Sequence, residues 1–527
     1  MATSRRGFLG TAALAGAATF IDRLSPVALA EARQGRRIFL HGVASGDPLQ
    51  HGVILWTRVT PRGGSTRGEI PVSFEIARDR TFSRIVSRGM QLASAARDFT
   101  VKVDALGLQP GATYYYRFSA LGEASSIGRT RTLPRETRRV RLAIASCSNL
   151  PFGYFSAYRR IAERPDLDAV LHLGDYIYEY RNRGYGDGTA FGRIPMPDKE
   201  ITTIEDYRTR HAQYKSDPDL QEAHRLHPWI VVWDDHEFAN NTWRDGAENH
   251  NPQTGEGPWE TRRDAAIQSY YEWMPIREDR MSRETRIYRS FAFGNLADLV
   301  MLDTRYVGRD QEAPKREQVD IIEDPKRTLL GRAQEEWLFD ELRASKKAGV
   351  TWQLLGQQVM FAPMAPAGSP AENKDTWDGY RPARARVTDF LDSEQIRNAV
   401  ILTGDVHSSW AYDIAHDPWR GYDARTGRGA VAVELVTPAI SSPGWGSQQA
   451  DRGAARADGY LKQRPHLKWV EGFHRGYLVV DLQPQQMQAD WYFVPTVTEK
   501  NATESFAKGF VSETGAPHLV EVSTPAR

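Results

Sequence analysis

Short apolar segments alternate with amphipathic helices along this sequence from Val140 onward. The helical pattern is clearest at Arg332 to Ala344, which lies between two of the apolar segments. Alternation of strands and helices over such a length is typical of layered α/β domains. The predicted strands are Val140 to Ala145, Ala169 to Leu173, Trp229 to Trp233, Leu299 to Leu302, Trp352 to Leu355 and Ala399 to Leu402.

A different pattern occupies residues 31–135, so residues 136–527 are predicted to form the α/β domain with a C-terminal extension. In the first region, apolar or alternating runs are separated by turn residues, which predicts a β-sandwich. The segment Leu108 to Phe118 resembles the turn and tyrosine-bearing strand of fibronectin type III modules. The predicted turns are Gly46-Asp47-Pro48, Pro61-Arg62-Gly63 and Pro110-Gly111, and the predicted strands are Ile38 to Val43, Val53 to Val59, Ile70 to Ile76, Phe99 to Val103 and Tyr114 to Ala120.

Residues 1–30 are predicted to be an export signal. A basic start at Ser4-Arg5-Arg6 precedes a weakly apolar stretch, and Ala28-Leu29-Ala30 matches a signal cleavage site. The apolar part is too short to span a bilayer. The arginine pair resembles a twin-arginine signal, which directs folded proteins to the bacterial twin-arginine export machinery. We therefore expect a periplasmic or secreted protein.

The composition excludes several classes of protein. With 40% hydrophobic residues among 527, the chain can build a large core, so it is neither disordered nor fibrous. Its 68 basic and 67 acidic residues give a net charge of +1, which does not favour general nucleic-acid binding. A single cysteine, Cys147, excludes a framework of disulfides within the chain. The oligomeric state stays open.

Four of the predicted strands end directly in polar residues of metal-ligand type. Proteins with α/β sheets place their binding sites at the carboxyl ends of the strands. An aspartate after a strand can merely cap the next helix, and a lone histidine can belong to the core. Four such clusters in one chain favour a site over that explanation. They are Ser146-Cys147-Ser148-Asn149, Gly174-Asp175-Tyr176-Ile177-Tyr178, Asp234-Asp235-His236-Glu237 and Gly404-Asp405-Val406-His407.

The side chains of these clusters indicate two metal ions. Carboxylate, phenolate and thiolate together favour a trivalent ion such as iron(III), whereas an oxygen-rich second pocket suits calcium, manganese or magnesium. Asp175 is a candidate bridge between the two ions. Adjacent cations lower the pKa of bound water and hold the oxygens of an in-line displacement, which is what phosphoester hydrolysis requires. The sequence has no P-loop or kinase glycine motif that would offer a rival phosphoryl mechanism.

The motifs resemble those of the PhoD-type alkaline phosphatases and phosphodiesterases, a branch of the calcineurin-like metallophosphoesterases. The resemblance covers nearly the whole chain and implies an α/β metallophosphoesterase domain of two facing β-sheets flanked by helices, preceded by the fibronectin-III-like β-sandwich. Beyond the four clusters, the matching segments are His41 to Pro48, Leu55 to Arg58, Trp233, Asn240-Asn241 and Ser408-Ser409-Trp410.

The resemblance also implies roles for single residues. His236 occupies the position of the histidine that protonates the leaving oxygen. Asp175 bridges the two metals, while direct binding by Asp234 or Asn241 stays open. The implied ligands of iron(III) are Cys147, Asp175, Tyr178 and His407, and those added on the calcium side are Asp235, Asn240 and Asp405.

Arg263 is the predicted contact for the phosphate group of the substrate. In the predicted helix Glu260 to Met274, this arginine shares a face with Ala266, Ile267, Tyr270 and Met274. An arginine on an apolar face needs an anionic partner, which is either a bound phosphate or a structural ion pair. Arg262 and Arg277 are weaker candidates.

Three further segments are assigned to the edge of the site. Gln357-Gln358 and Trp377 to Tyr380 follow a predicted strand, so they line the pocket or merely shape its loops. Residues Phe506 to Phe510 form either a lid over the cleft or a frayed tail.

These features predict an exported, metal-dependent phosphoesterase that acts at alkaline pH. It would hydrolyse small phosphate esters by attack of a metal-bound hydroxide and release phosphate. One alternative is a phosphodiesterase of phospholipase D type, or another with lipid or nucleic-acid substrates. Another is a non-enzymatic envelope protein that holds metals for structure only. His236 and Arg263 argue against the last alternative, because they indicate an open and reactive site.

Overall fold

The computed structural model describes residues 38–61, 68–278, 286–446, 450–500 and 503–527. The predicted export signal lies outside these residues, as does part of the turn Pro61-Arg62-Gly63. Within the described part of the chain, no helix is both long enough and apolar enough to cross a membrane.

The strands of the described residues form three sheets. Those of the N-terminal region are β1 (Val43–Leu49), β2 (Gly52–Arg58), β3 (Glu69–Ala77), β4 (Ile85–Ser94), β5 (Thr100–Leu106), β6 (Thr113–Ala120), β7 (Glu123–Ala124) and β8 (Gly128–Arg131). Those that follow are β9 (Val140–Ala145), β10 (Ala169–His172), β11 (Pro228–Val231), β12 (Arg289–Phe293), β13 (Ala297–Met301), β14 (Trp352–Gly356), β15 (Ala399–Thr403), β16 (Ser409–Ala415), β17 (Ala430–Val436), β18 (Leu467–Glu471), β19 (Arg475–Leu482), β20 (Gln486–Val494), β21 (Ser505–Glu513) and β22 (Val520–Val522).

The helices lie between the strands of the α/β region. They are α1 (Ser156–Ala162), α2 (Ile204–Lys215), α3 (Pro218–Leu226), α4 (Trp259–Trp273), α5 (Val319–Ile322), α6 (Arg332–Lys347), α7 (Arg381–Ser393) and α8 (Ala450–Gln463). Side-chain caps fix where α2 and α3 begin. Thr203 and Asp206 form a capping box at α2, and the Asp217 side chain accepts two backbone N–H bonds at the start of α3.

A ten-stranded sheet carries three of the predicted clusters and has the order β22-β21-β20-β19-β9-β10-β11-β1-β2-β5. Its strands β9, β10 and β11 are parallel neighbours. Every residue of these three strands is buried, because helices or the second sheet cover both faces. Their carboxyl ends therefore meet at one edge of the sheet.

The second sheet of the α/β region has seven strands in the order β12-β13-β14-β15-β17-β16-β18. It faces the ten-stranded sheet across one apolar core, to which Leu142, Val170, Leu299 and Val400 contribute. On its other side, α6 and α7 cover a second core. The predicted class, an α/β fold with two facing sheets flanked by helices, is confirmed.

The N-terminal region forms the predicted β-sandwich, but one of its layers is shared. The order β4-β3-β6-β7, with β8 on β6, is one layer, and β1, β2 and β5 are the other. Leu55, Val72 and Tyr116 are among the residues buried between the two layers. Strand β1 also pairs with β11, placing Gly46 opposite Trp229, so this layer continues into the ten-stranded sheet.

Three local features of this region differ from the sequence predictions. The first strand begins at Val43, so the predicted strand Ile38 to Val43 does not form. Gly46-Asp47-Pro48 lies inside β1 and is not a turn between strands. Gly46 is needed there because a Cβ atom would lie 2.2 Å from the carbonyl oxygen of Pro275. Strand β4 was not predicted, since most of its residues are exposed at the edge of the five-stranded sheet and give no apolar pattern. The tyrosine-bearing turn does form, and Tyr114 Oη accepts a 2.8 Å hydrogen bond from the Gln109 backbone.

The C-terminal residues belong to the ten-stranded sheet. Phe506 to Phe510 lie in β21, which pairs with β20 on one side and β22 on the other. They are therefore neither a lid over the cleft nor a frayed tail.

Candidate metal centre

The four predicted clusters lie together where β9, β10, β11 and β15 end. The backbone φ angle is positive at Cys147 (60°), Asp175 (55°), Asp405 (61°) and His407 (54°). This conformation is uncommon for residues other than glycine, and it concentrates at functional sites where the surrounding fold enforces it. Four predicted ligands thus share a strained backbone.

Close packing between two of the strand ends brings the clusters into contact. At Gly174, where φ is +100°, a Cβ atom would lie 2.3 Å from Cβ of Asp234. The buried carboxylate of Glu237 joins the same two loops, accepting backbone N–H bonds of 3.0 Å from Asp175 and 2.6 Å from Asp234. This close packing and the hydrogen bonds to Glu237 therefore hold Asp175 and Asp234 side by side.

One group of side chains brings together a thiol, a carboxylate, an imidazole and a phenol. Ligand atoms of Cys147, Asp175 and His407 all lie within 4.8 Å of one another. Tyr178 completes the set, because its Oη lies 2.9 Å from Asp175 Oδ2 and 3.2 Å from His407 Nε2. Ser442 Oγ donates a 2.7 Å hydrogen bond to the same phenolic oxygen.

Two further groups extend the first, the second through Asp175 and the third through Asp235. Ligand atoms of Asp175, Asp235 and His236 lie within 4.8 Å of one another, as do those of Asp234, Asp235 and Asp405. Among the described residues, Asp175 Oδ1 and Asp234 Oδ2 are buried without a hydrogen-bond partner. Buried acceptors of this kind are costly unless a cation or a donor satisfies them, so the residues fit a metal centre.

The pKa values of the buried ligand groups also fit a metal centre. Burial raises the pKa of Asp405 to about 8, although Arg305 beside it acts in the opposite direction. Burial likewise raises the pKa of Asp234, and that of the Cys147 thiol, well above their usual values. A bound cation reverses this effect by favouring the ionised ligands.

Asn240 and Asn241 both line the cleft beside these carboxylates. Their side-chain nitrogens donate hydrogen bonds of 2.9 Å and 2.6 Å to Glu248. The backbone N–H of Asn241 donates to Asp235 Oδ2 at 2.7 Å. Because each amide nitrogen is engaged, the amide oxygen is the atom that either residue offers to a cation.

His236 lines the cleft, and its ring contacts Glu179 and Tyr178. Its Nδ1 lies 2.7 Å from Glu179 Oε2, and its ring centroid is 4.3 Å from that of Tyr178. Burial alone lowers the pKa of His236, but the carboxylates of Glu179 and Asp235 outweigh burial and raise it well above its usual value. The ring is thus placed to hold a proton at the cleft.

Arg305 and Asp375 complete the centre and were missed in the sequence. The fully buried Arg305 guanidinium lies 2.6 Å from Asp405 Oδ1 and 2.8 Å from Asp375 Oδ2, and it also contacts Asp234. Arg305 follows β13 after Leu302-Asp303-Thr304. The rule that found the four clusters, polar residues after an apolar strand, therefore also applies to it.

The cleft above these residues has a volume of about 580 Å³. Its floor includes Asp175, Asp235, His236, Asp405 and His407, whereas Cys147 and Tyr178 lie buried behind them. A volume of this size falls in the range of small-molecule sites. The centre is therefore open on one side.

Arg263 is not among the residues that line this cleft. It pairs with Asp264 at 2.8 Å and lies over the Tyr306 ring. The buried face of α4 carries Arg262 instead, whose guanidinium lies 2.9 Å from Glu200. The prediction that Arg263 lies on the apolar face is therefore wrong by one position. Both arginines form ion pairs within the protein, the buried one being that of Arg262. Arg277 pairs with Asp104.

The polar residues assigned to the edge of the site lie beneath it. Gln357 donates a 2.6 Å hydrogen bond to Thr403 and accepts one of 3.1 Å from Trp377. Gln358 accepts a 3.0 Å bond from the Thr304 backbone. These side chains are buried, so they shape the loops and do not line the cleft.

Comparison with known proteins shows which family the chain belongs to. The sequence profile of PhoD-like phosphatases matches residues 142–491, and that of the PhoD-like phosphatase N-terminal domain matches residues 25–134. The chain belongs to the PhoD-like phosphatase family. Alkaline phosphatase D of Bacillus subtilis (strain 168) is 40% identical over 501 residues, which cover 92% of this chain and 82% of that protein.

A solved structure described as that of PhoD is similar across almost the whole chain. It has a TM-score of 0.83 and 39% identity, and the match covers 93% of this chain and 92% of the other. A PhoD-like phosphatase is a phosphoric ester hydrolase, so the alternative of a non-enzymatic envelope protein is not supported.

Proposed function

We propose that this protein is an exported alkaline phosphatase and phosphodiesterase that uses iron(III) and calcium to hydrolyse small phosphate esters. The observation that carries the proposal is the convergence of three ligand groups on Asp175 and Asp235, with His236 beside them at an open cleft. The twin-arginine pattern at Arg5-Arg6 supports export to the periplasm or beyond.

The donor chemistry supports one metal of each kind. Cys147, Asp175, Tyr178 and His407 would hold iron(III), since thiolate and phenolate suit that ion. Asp175, Asp235, Asn240 and Asp405 would hold calcium, which prefers oxygen ligands. When bound, the cations supply Lewis-acid chemistry, which lowers the pKa of water and neutralises charge on phosphate oxygens.

The surrounding residues position a proton and neutralise negative charge for the reaction. Glu179 accepts a hydrogen bond from Nδ1 of His236, and the raised pKa of the ring favours the imidazolium, whose Nε2 proton is offered to the leaving alkoxide. Arg305 neutralises Asp234, Asp375 and Asp405, which would otherwise repel a phosphate anion. Phosphate enters from the open side of the cleft.

The first test is hydrolysis of p-nitrophenyl phosphate and bis(p-nitrophenyl) phosphate by folded, exported protein at alkaline pH. Elemental analysis of the same sample is expected to find iron and calcium. Calcium chelation is expected to reduce turnover to the background rate, and added Ca²⁺ to restore it, because oxygen ligands bind calcium reversibly. Fully metallated protein that hydrolyses neither ester, or turnover that survives chelation, would contradict the proposal.

Replacement of the thiolate tests the iron ligands. Cys147→Ser is expected to shift or bleach a visible charge-transfer band and to lower the iron content, because an alkoxide or hydroxyl donor replaces a thiolate. The absorption spectrum and elemental analysis measure both effects. Tyr154→Phe is the control, since Tyr154 packs on Phe191 and does not line the cleft. A variant that keeps both band and iron would show that Cys147 is not a ligand.

A further inference from the structure

One side of the cleft is an aromatic wall, which we define as Trp410, Trp445 and Tyr460. The Trp410 ring centroid lies 6.3 Å from that of Trp445 and 5.0 Å from that of Tyr460. The centroids of Trp445 and Tyr460 are 5.9 Å apart. The three rings line the same cleft as the metal-centre residues. A phosphate group does not bind to an apolar surface, so the aromatic wall is suited to the organic part of the substrate.

The aromatic wall lies next to the metal centre, and His407 connects the two. Trp410 follows three residues later in the chain, and its Nε1 donates a 2.8 Å hydrogen bond to Ser408 Oγ. From the other direction, His407 Nδ1 lies 3.3 Å from the carbonyl oxygen of Pro443, two residues before Trp445. A group bound on the wall would therefore lie beside a phosphate held at the centre.

Arg456 adds positive charge beside the aromatic wall. Its guanidinium carbon lies 5.3 Å from the ring centroids of both Trp445 and Tyr460, and its Nε donates a 2.8 Å hydrogen bond to Tyr460 Oη. The side chain is exposed and lines the cleft. Its remaining N–H groups can bind the oxygens of an anionic ligand.

We propose that the aromatic wall binds the base of a nucleotide ester while Arg456 contacts a phosphate oxygen. This inference rests on the proposed function and names its substrate class. A planar base stacks on aromatic side chains, and Arg456 complements the charge of its phosphate. A flexible acyl chain fits less well, because the charged side chains of Arg456 and Glu372 line the cleft together with the aromatic wall.

Two diesters with the same leaving group test the proposal. Thymidine 5′-(p-nitrophenyl phosphate) and ethyl p-nitrophenyl phosphate both release p-nitrophenolate, and only the first carries a base. We expect the metal-loaded protein to favour the thymidine ester in kcat/KM by roughly tenfold or more, the effect of one stacked base. Lower KM is expected to account for most of the preference.

Variants of the wall separate stacking from general disruption. Trp445→Ala is expected to lower kcat/KM for the thymidine ester about tenfold more than for the ethyl ester. Trp445→Phe, which keeps a ring, is expected to retain most of the preference. Phe473→Ala is the matched control: Phe473 is 40% exposed next to Gly472, on which Trp445 packs, but it does not line the cleft. We expect this control to keep the full preference.

The outcomes distinguish the two proposals. Equal kcat/KM for the two esters would overturn the aromatic-wall inference but not the proposed hydrolase function. The same conclusion would follow if Trp445→Ala and Trp445→Phe each lowered kcat/KM equally for both esters. Preference for a glycerophospholipid over the thymidine ester would overturn it in favour of a lipid substrate. No hydrolysis of either ester by metal-loaded protein would instead contradict the proposed function.

Discussion

His236→Ala is expected to lower kcat by about 10²–10⁴-fold for an alkyl phosphate, whose alkoxide needs a proton to leave. The loss should be much smaller for p-nitrophenyl phosphate, because p-nitrophenolate leaves without protonation. Glu179 holds the ring at 2.7 Å with Nε2 free for this task. Comparison of kcat on the two esters, with metal analysis of the same protein, measures the effect.

His474→Ala is the control for this experiment. The His474 side chain is 43% exposed and lies outside the cleft, so its loss is expected to leave both rates unchanged. A loss in His236→Ala smaller than about threefold on the alkyl ester, with metals still bound, would exclude the role of proton donor. Equal losses on both esters would assign His236 to phosphate binding.

Arg305→Met is expected to lower the free energy of unfolding of the metal-free protein by about 3–5 kcal/mol. The substitution leaves the buried carboxylates of Asp234 and Asp405 without the guanidinium of Arg305, while Asp375 keeps its ion pair with Arg309. Bound metal is expected to reduce the loss, because its charge compensates the same carboxylates. Urea unfolding of the metal-free and metal-loaded forms measures both values.

Arg332→Met provides the matched control, since its pair with Glu336 is exposed. Loss of an exposed ion pair changes stability by about 0–1 kcal/mol. If Arg305→Met destabilises the metal-free protein no more than this control does, the carboxylate cluster does not depend on Arg305.

The sequence predicted much of the centre because the relevant signal is local. Each of β9, β10, β11 and β15 is an apolar run followed at once by its polar cluster. Strand ends that share a sheet edge come together in space whatever the intervening chain does. The adjacency of Cys147 and Asp175 follows from that geometry, whereas His407 follows β15 and reaches them because the second sheet faces the first.

Three arginines show where this reasoning fails. Arg305 follows β13 in the second sheet, and sequence alone does not show that this strand end faces the first sheet across the cleft. Arg262 and Arg263 are adjacent on α4, whose apolar residues are spread around the helix, so a shift of one residue exchanges the buried and exposed arginine.

Pairing between distant strands was also beyond local reasoning. Strand β1 pairs with β11 through Ser45 and Pro228, and nothing in either segment identifies the other. The same holds for β9 and β19, where Ile144 lies opposite Leu478. Loops and helices separate these partners, and apolar strands of similar composition are interchangeable by pattern alone.

The shared sheet constrains how the polypeptide acquires its structure during synthesis. Strand β9 emerges from the ribosome early, yet its neighbour β19 follows more than three hundred residues later. Contacts this distant in sequence form slowly, and the sheet stays incomplete until β19 is available. A fragment that begins at residue 136 would likewise expose the edge of β11 that β1 covers. Cutting the gene between its two family segments would therefore divide a single folding unit.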